Sequence, residues 1–482
     1  MIALSFLLSL LAFVAIGAAS TLRSKSDNAD YLVAGRSVSP WLVGFSAMAT
    51  NNSGYMFIGA IGYIYKDGLQ AFWVMFAWML GDFLASFVIH RRMRDVAEER
   101  GSLSFGSLIS RWSGGDFRVV KAIAGLITVA FLGAYAAAQF KAGGKALHVI
   151  FEWPEWIGTV SGAIIVLIYC LSGGIRASIW TDAAQTTVMF IAMALMLFVG
   201  IRELGGLAVW QSRLTEVAPG YLNWFPSDVY QGGTPSIGLF VLGFILGGIG
   251  IVAQPHIMIR FMALDDARNM TKARATYYGL YLSFCILTFS TGLTARLLFP
   301  ELDAFDPELA LPRMAARLLP EFLIGLVLAG VFSASMSTAD SQILSCSAAV
   351  TGEILGREDE TSLVVTKLAT LAVTLIALAI ALLGFESVFK LVLFSWSVLA
   401  SAFAPLILLY AFGARLDEPR ALVVMATGVG VSLGWRALGW GAIIYDAGPA
   451  MILAVLLGLA IRIRGELIPA GERESAEETA KG

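Results

Sequence analysis

The chain has 482 residues, 58% of them hydrophobic and 14% charged, with 33 Lys and Arg against 35 Asp and Glu. A water-soluble domain carries roughly 45–50% apolar and about 25% charged residues, so the apolar excess must face lipid, as the mean hydropathy of +0.77 also requires. The net charge of -2 gives no electrostatic reason to expect nucleic acid as a partner. Three histidines and three cysteines without zinc spacing, and no HExxH or GxSxG, leave no constellation for an enzyme.

A membrane-spanning helix takes about 20 predominantly apolar residues. Apolar runs between charged or Pro/Gly breaks predict about thirteen spans, near 1–20, 40–64, 70–90, 119–150, 156–175, 178–201, 235–260, 275–299, 320–350, 363–385, 387–412, 420–440 and 446–464. The first lacks a basic leader, and its positive charges, Arg23, Lys25 and Arg36, follow it, so it reads as an uncleaved anchor. The loop after the third span carries Arg91, Arg92, Arg94, Arg100, Arg111, Arg118 and Lys121, and that after the seventh carries Arg260, Arg268, Lys272 and Arg274. The positive-inside rule places both in the cytoplasm, with Arg415, Arg420 and the tail from Arg462, and puts segment 205–234 outside. The expectation is a multi-pass protein of the cell (inner) membrane with its N-terminus outside and its C-terminus cytoplasmic.

Two spans look broken. The second contains Ala49-Thr50-Asn51-Asn52-Ser53-Gly54, small or polar residues within an apolar run, and the seventh contains Gly243 to Gly250 followed by Gln254-Pro255-His256. Irregular backbone at membrane depth persists only where it lines a cavity. Paired interruptions five spans apart are what an inverted five-helix repeat places around its binding site. Small residues that simply let helices approach are the competing reading for the glycines. Two adjacent asparagines at the bilayer centre need partners, which unwound carbonyls and a ligand supply.

The ninth span reads Ser333-Ala334-Ser335-Met336-Ser337-Thr338-Ala339-Asp340-Ser341-Gln342, then Ser345 and Ser347. At helical spacing Ser337, Asp340, Ser341 and Ser345 share one face, flanked by Thr338. Such a stripe of oxygens suits a hard cation such as Na+. Back-bonding of Ser and Thr to the preceding turn explains one or two of these residues, not Asp340. Asp182, near the cytoplasmic end of the sixth span, is a second carboxylate at membrane depth.

The stretches Gly35-Arg36-Ser37, ATNNSG, GGIRASIWTDAAQ (173–185), AQPHIMIRFMA (253–263) and SASMSTADSQILSCSA (333–348) resemble the sodium:solute symporter family, closest to its sodium/proline symporter branch. The resemblance covers roughly residues 25–410. It implies an all-α membrane protein of the leucine-transporter type, a 5+5 inverted repeat with one extra N-terminal and two extra C-terminal helices. Residues 1–34 are then an extra span and link, 35–412 the transport core, 413–464 two further spans and 465–482 a disordered cytoplasmic tail.

Carried over by motif, the main sodium site takes the carbonyls of Ala49, Asn52 and Ala334 and the hydroxyls of Ser337 and Thr338. A second sodium, nearer the cytoplasm, matches Asp182, Ser337, Asp340 and Ser341. Arg36 matches a functionally important arginine of the family, in a coupling or gating role. The solute pocket maps onto Asn51, Ser53, Gly54, Tyr55, Tyr135, Gln139, Gly247, Ile251 and Gln254. Two departures stand out. Asn51 replaces an aspartate of proline-type members, with Asp340 expected to supply the missing charge. Gly247 and Ile251 stand where a Trp and a Tyr belong, which predicts a wider, less aromatic pocket. The expected activity is Na+-coupled import of a small organic solute, most simply an amino acid such as proline. Open alternatives are another solute (a carboxylate, sugar acid or vitamin), proton coupling, or a channel or sensor on the same fold.

Overall fold

A computed structural model of the chain describes residues 1–21, 27–356, 362–384, 387–442 and 444–462. Arg23, Lys25 and the 465–482 tail lie outside the described residues. Among the described residues the regular elements are helices, joined by one isolated parallel bridge, Val38 to Leu264. Among the described residues nine helices are long and apolar enough to cross a membrane. The remaining apolar segments are shorter or interrupted, and the interruptions position the site.

The first interruption follows the helix Pro40–Asn51, which starts with Pro at a position where a missing N–H costs nothing. Asn52 leaves helical geometry (φ −90°, ψ 63°), and after Ser53 the chain turns back into helix through a π turn, Met56–Ala60, and the helix Ile61–Asp67. The second follows Gly233–Ile249. The glycines up to Gly248 stay helical, and the chain narrows into a 3-10 turn, Gly250–Ala253, before extended Gln254 and a new helix, Pro255–Met262. The break therefore falls one turn later than the glycine run, where Pro255 cannot donate to the preceding turn.

Those glycines pack. A Cβ on Gly248 would lie 1.8 Å from the Trp78 carbonyl oxygen, and one on Gly81 would lie 1.9 Å from that of Ile245. The second broken helix and the helix Trp73–Glu99 thus touch backbone to backbone at reciprocal glycines. The spans at 156–175 and 178–201 form one helical stretch, Glu155–Glu203, bent at Gly174 (φ 57°, ψ −148°). A Cβ there would meet the Tyr31 carbonyl at 2.5 Å, so glycine is required by both dihedral and space.

Burial ranks the helices. In Glu321–Ile354, 83% of the apolar window is buried, and in Val388–Ala411 78%, against 28% in Ile2–Ser20 and 33% in Leu363–Leu383. The hydroxyl-rich helix is therefore central, and the outer helices carry exposed Leu4, Leu7, Leu8, Leu11, Leu368 and Leu375, a surface suited to lipid. Segment 205–234 folds back over one end of the bundle. Tyr221 donates to the Ile64 carbonyl (2.9 Å), and Trp210 Nε1 donates to Thr294 Oγ1 (2.9 Å). At the same end Glu308 is a hub. It accepts from Lys145 Nζ (2.7 Å), Ser387 Oγ (2.8 Å) and the backbone N–H groups of Val388 and Phe389 (3.1 and 3.0 Å). A carboxylate at the start of Val388–Ala411 satisfies that helix's free donors and its dipole.

Candidate functional site

Ending a helix at Asn51 frees the carbonyls of its last turn. The serine-rich helix Glu321–Ala348 meets them. Ser337 Oγ donates to the carbonyls of Ala49 (3.2 Å) and Ala334 (3.1 Å), and Thr338 Oγ1 donates to that of Thr50 (2.8 Å). All of these residues are fully buried. Oxygens of Ala49, Ala334, Ser337 and Thr338 thus come together across the break. Asn52 is buried at the break, its side chain turned back to donate to the Met48 carbonyl (3.2 Å).

The solute-pocket residues gather on the other side of the same break. Gly54 N–H donates to Gln139 Oε1 (3.0 Å), Ser53 Oγ lies 3.2 Å from the Tyr135 hydroxyl, and Gln254 Nε2 donates to the Trp396 carbonyl (3.2 Å). Gln139 is thus committed to the free backbone donor of the half-helix, and its own Nε2, like Gln254 Oε1, has no partner among the described residues. Asn51 and Tyr55 line a cavity of ≈ 40 Å³ with Trp78, Tyr281 and Trp396, room for about one water.

This wall is aromatic, contrary to the expectation drawn from Gly247 and Ile251. The Tyr445 ring comes within 3.1 Å of where a Gly247 Cβ would stand, packs on Trp78 at 5.1 Å, and Trp78 meets Trp396 edge-on at 5.6 Å. Rings from other helices occupy the space that the small side chain leaves, and Ile251 is buried in the 3-10 turn beside it. Phe389 stacks on Tyr55 (5.5 Å) and Tyr63 (4.6 Å). That layer separates the small cavity from an open depression of ≈ 500 Å³ lined by Lys66, Asp67, Asp306 and Lys390.

Asp182, Asp340 and Ser341 converge with a residue that sequence reading left in a cytoplasmic loop. Arg260, fully buried, donates to Ser178 Oγ (2.7 Å), Ser46 Oγ (3.3 Å) and Ser341 Oγ, and lies 3.6 Å from Asp182 Oδ2. Ser178 and Ser341 each donate to Asp340 Oδ1 (3.0 Å), and Ser46 donates to Asp182 Oδ2 (2.5 Å). A guanidinium therefore stands among three of the four residues matched to a second sodium, while the Ser337 hydroxyl faces Ala49. Asp340 is tied to Arg260 through the two serines instead of facing Asn51. Arg36 lies away from both clusters, donating to the carbonyls of Ala97 and Ser102 (2.8 Å each).

Of the buried carboxylates outside the expected site, Asp82 reaches it. Asp82, fully buried, accepts from the Tyr277 hydroxyl (3.0 Å), which itself accepts from Asn51 Nδ2 (2.9 Å). An aspartate inside the apolar run Trp78-Met79-Leu80-Gly81-Asp82-Phe83-Leu84 was the available signal.

Comparison with known proteins gives the family. The model of the sodium:solute symporter family matches residues 31–428. A sodium/proline symporter of Staphylococcus aureus is 30% identical over 451 residues, covering 91% of this chain and 85% of the relative, and that of strain USA300 is 29% identical over 449. Among solved structures, a Na+-coupled sialic acid symporter in its substrate-bound outward-open state superposes with a TM-score of 0.81 at 18% identity, covering 97% of this chain and 99% of the other. Mhp1, a nucleobase-cation-symport-1 family transporter, gives 0.58 at 16% identity over 90% and 94%. The chain belongs to the sodium:solute symporter family and is a multi-pass membrane transporter that couples Na+ to a solute.

Proposed function

We propose that the protein imports a small organic solute, an amino acid such as proline in the first instance, down the Na+ gradient by alternating access. The observation that carries the reading is the contact of Ser337 and Thr338 with the freed carbonyls of Ala49 and Thr50. In this reading Na+ takes the oxygens of Ala49, Asn52, Ala334, Ser337 and Thr338, and so bridges the first broken helix to the serine-rich helix. Coupling follows if the ion binds one conformation more tightly than the other, since equal binding shifts nothing.

The solute lies between Asn51, Ser53, Gly54, Tyr55, Tyr135, Gln139, Gly247, Ile251 and Gln254, against the positive end of the half-helix that begins at Gly54. The unpartnered Gln139 Nε2 and Gln254 Oε1 suit an amide or carboxylate, and the Tyr55, Trp78 and Trp396 rings suit a compact apolar side. The S. aureus relatives named for proline support that choice.

The layout that goes with it is thirteen spans, a 5+5 inverted repeat over 35–412 plus one helix before and two after. The N-terminus faces out, and the basic loops at 91–121 and 260–274 face the cytoplasm. Asp182, Ser337, Asp340 and Ser341 act as an exit-side station for Na+ in a conformation in which the Arg260 guanidinium has withdrawn. With Arg260 in place, one sodium is bound per cycle, and Arg36 holds the cytoplasmic link during the transition.

The test is a thermal-shift screen of purified protein against amino acids, carboxylates and sugars, each in Na+ and in K+. Stabilisation by one solute only when Na+ is present identifies the substrate and the coupling together. Equal stabilisation in both salts, or stabilisation by a non-amino-acid solute alone, overturns the coupling or the substrate choice respectively.

A further inference from the structure

The buried acids differ in their cations. Asp182 has Arg260, Asp30 has Arg176, Asp446 has Arg436 and Glu308 has Lys145, and Asp340 reaches Arg260 through Ser178 and Ser341. Asp82 is fully buried, and among the described residues no Lys, Arg or His lies within ion-pair distance of it; its Oδ2 has one hydrogen bond, and its Oδ1 has none. An ionised carboxylate at membrane depth with only neutral tyrosine hydroxyls facing it, Tyr277 and Tyr278, is held against a large desolvation cost. A bound proton removes that cost, and the buried Tyr278 hydroxyl, which faces the same carboxyl group, is placed to accept from the protonated acid.

Among the described residues, what faces Asp82 is otherwise neutral. The helix Met270–Leu298 presents Tyr277, Tyr278 and Tyr281. The second broken helix presents backbone of Ile245 at Gly81, and the helix Val388–Ala411 presents Trp396 to Trp78. The nearest imidazole on its own helix, His90, lies two turns on and packs on Phe261, and Arg274 lies over Phe87.

The connection to the ion site is short. Asp82 holds Tyr277, Tyr277 holds Asn51, and Asn51 follows Thr50, whose carbonyl meets Thr338. A charge at Asp82 therefore acts on the oxygen cluster through a hydrogen-bonded chain of buried groups, where such fields are less screened than in water. We propose that Asp82 is a proton-binding site linked negatively to sodium: the ionised acid favours Na+ at the break, and Na+ binding drives the proton off Asp82. By reciprocity a proton on Asp82 lowers Na+ affinity by the same factor. The proposal rests on the sodium site described above.

The test is Na+ binding to purified protein, read as Na+-dependent thermal shift or tryptophan fluorescence, from about pH 5 to about pH 9, the span over which buried carboxylates titrate. Wild type is expected to bind Na+ more tightly as pH rises, approaching about tenfold per pH unit where one proton leaves per sodium. It should also release protons into weakly buffered solution on Na+ addition. Asp82→Asn, neutral at every pH, should bind with the weak acid-side affinity throughout and release none, Asp82→Glu should restore the slope, and Tyr277→Phe should flatten it while leaving the acid in place.

A flat wild-type profile overturns the proposal, as does a wild-type slope retained in Asp82→Asn. Should Asp82→Asn fail to fold, an unaltered slope in Tyr277→Phe overturns it equally. Absence of Na+ binding at any pH would instead remove the sodium site itself.

Discussion

Replacing Thr338 by alanine deletes a hydroxyl that donates to the Thr50 carbonyl at 2.8 Å, and replacing Ser337 deletes one that reaches the Ala49 and Ala334 carbonyls at 3.2 and 3.1 Å. Both side chains are fully buried, so no solvent replaces the lost oxygen. As a hydrogen bond between neutral groups each hydroxyl is worth about 1 kcal/mol of stability, whereas its interaction with a charged partner is worth about 1.5–3 kcal/mol. At about 1.4 kcal/mol per tenfold change, each alanine variant should raise the Na+ concentration for half-maximal uptake by about 10- to 100-fold, with much smaller losses in folded protein. Ser337→Thr and Thr338→Ser, which keep an oxygen, should stay nearer wild type. The assay is Na+ activation of solute uptake in proteoliposomes, normalised to inserted protein. Wild-type Na+ dependence in both alanine variants refutes the site, and loss of folded protein without a change in Na+ requirement reassigns the hydroxyls to packing.

Phe389→Ala removes the ring that stacks on Tyr55 and Tyr63; a cysteine placed at Tyr55 should then label with an impermeant thiol reagent several-fold faster than with Phe389 intact, and an unchanged rate denies the layer a sealing role. Glu308→Gln removes one of the two carboxylates on Lys145, only 3% exposed, and leaves Asp306 at 2.6 Å. It also weakens the cap on the Val388 and Phe389 N–H groups, so the loss should be about 1–3 kcal/mol and the melting temperature should fall, further still in Glu308→Gln with Asp306→Asn, where the buried ammonium keeps neither carboxylate; an unchanged melting temperature in the double variant refutes the hub. Gly248→Ala puts a Cβ 1.8 Å from the Trp78 carbonyl oxygen, and folded yield should drop sharply, whereas alanine at Gly279, with open space around it, should be tolerated.

The parts of this protein that sequence exposes are those whose physics is local. Two asparagines and a serine inside an apolar run, and a Gln-Pro pair after a glycine run, announce breaks because backbone and amides at that depth need partners within a few residues. The hydroxyl face from Ser337 to Ser345 follows from helical spacing alone, and so does its fit to a hard cation.

What sequence does not expose depends on which distant chains meet. Arg260 ends an apolar segment and counts as a loop charge until the fold turns it inward onto Ser46, Ser178 and Ser341. Asp340 shares a helical face with Ser337, yet the Arg260 cluster decides where its carboxylate points. Gly247 predicts an open pocket until Tyr445, from the far end of the chain, fills the space. Asp82 was visible as an acid in an apolar run, but its link to Asn51 passes through Tyr277, and no spacing along one helix encodes a contact between three.

The central claim is that Na+ and solute move together through the break at Asn52. Simultaneous measurement of radiolabelled Na+ and solute entry into proteoliposomes holding the purified protein, with inward gradients of Na+ or of K+, tests it most directly. The account predicts that solute accumulates above its outside concentration only with the Na+ gradient, that Na+ entry rises when solute is added, and that Thr338→Ala reduces both fluxes together at limiting Na+. Solute that merely equilibrates, at the same rate with either cation and with Na+ entry indifferent to solute, would contradict it.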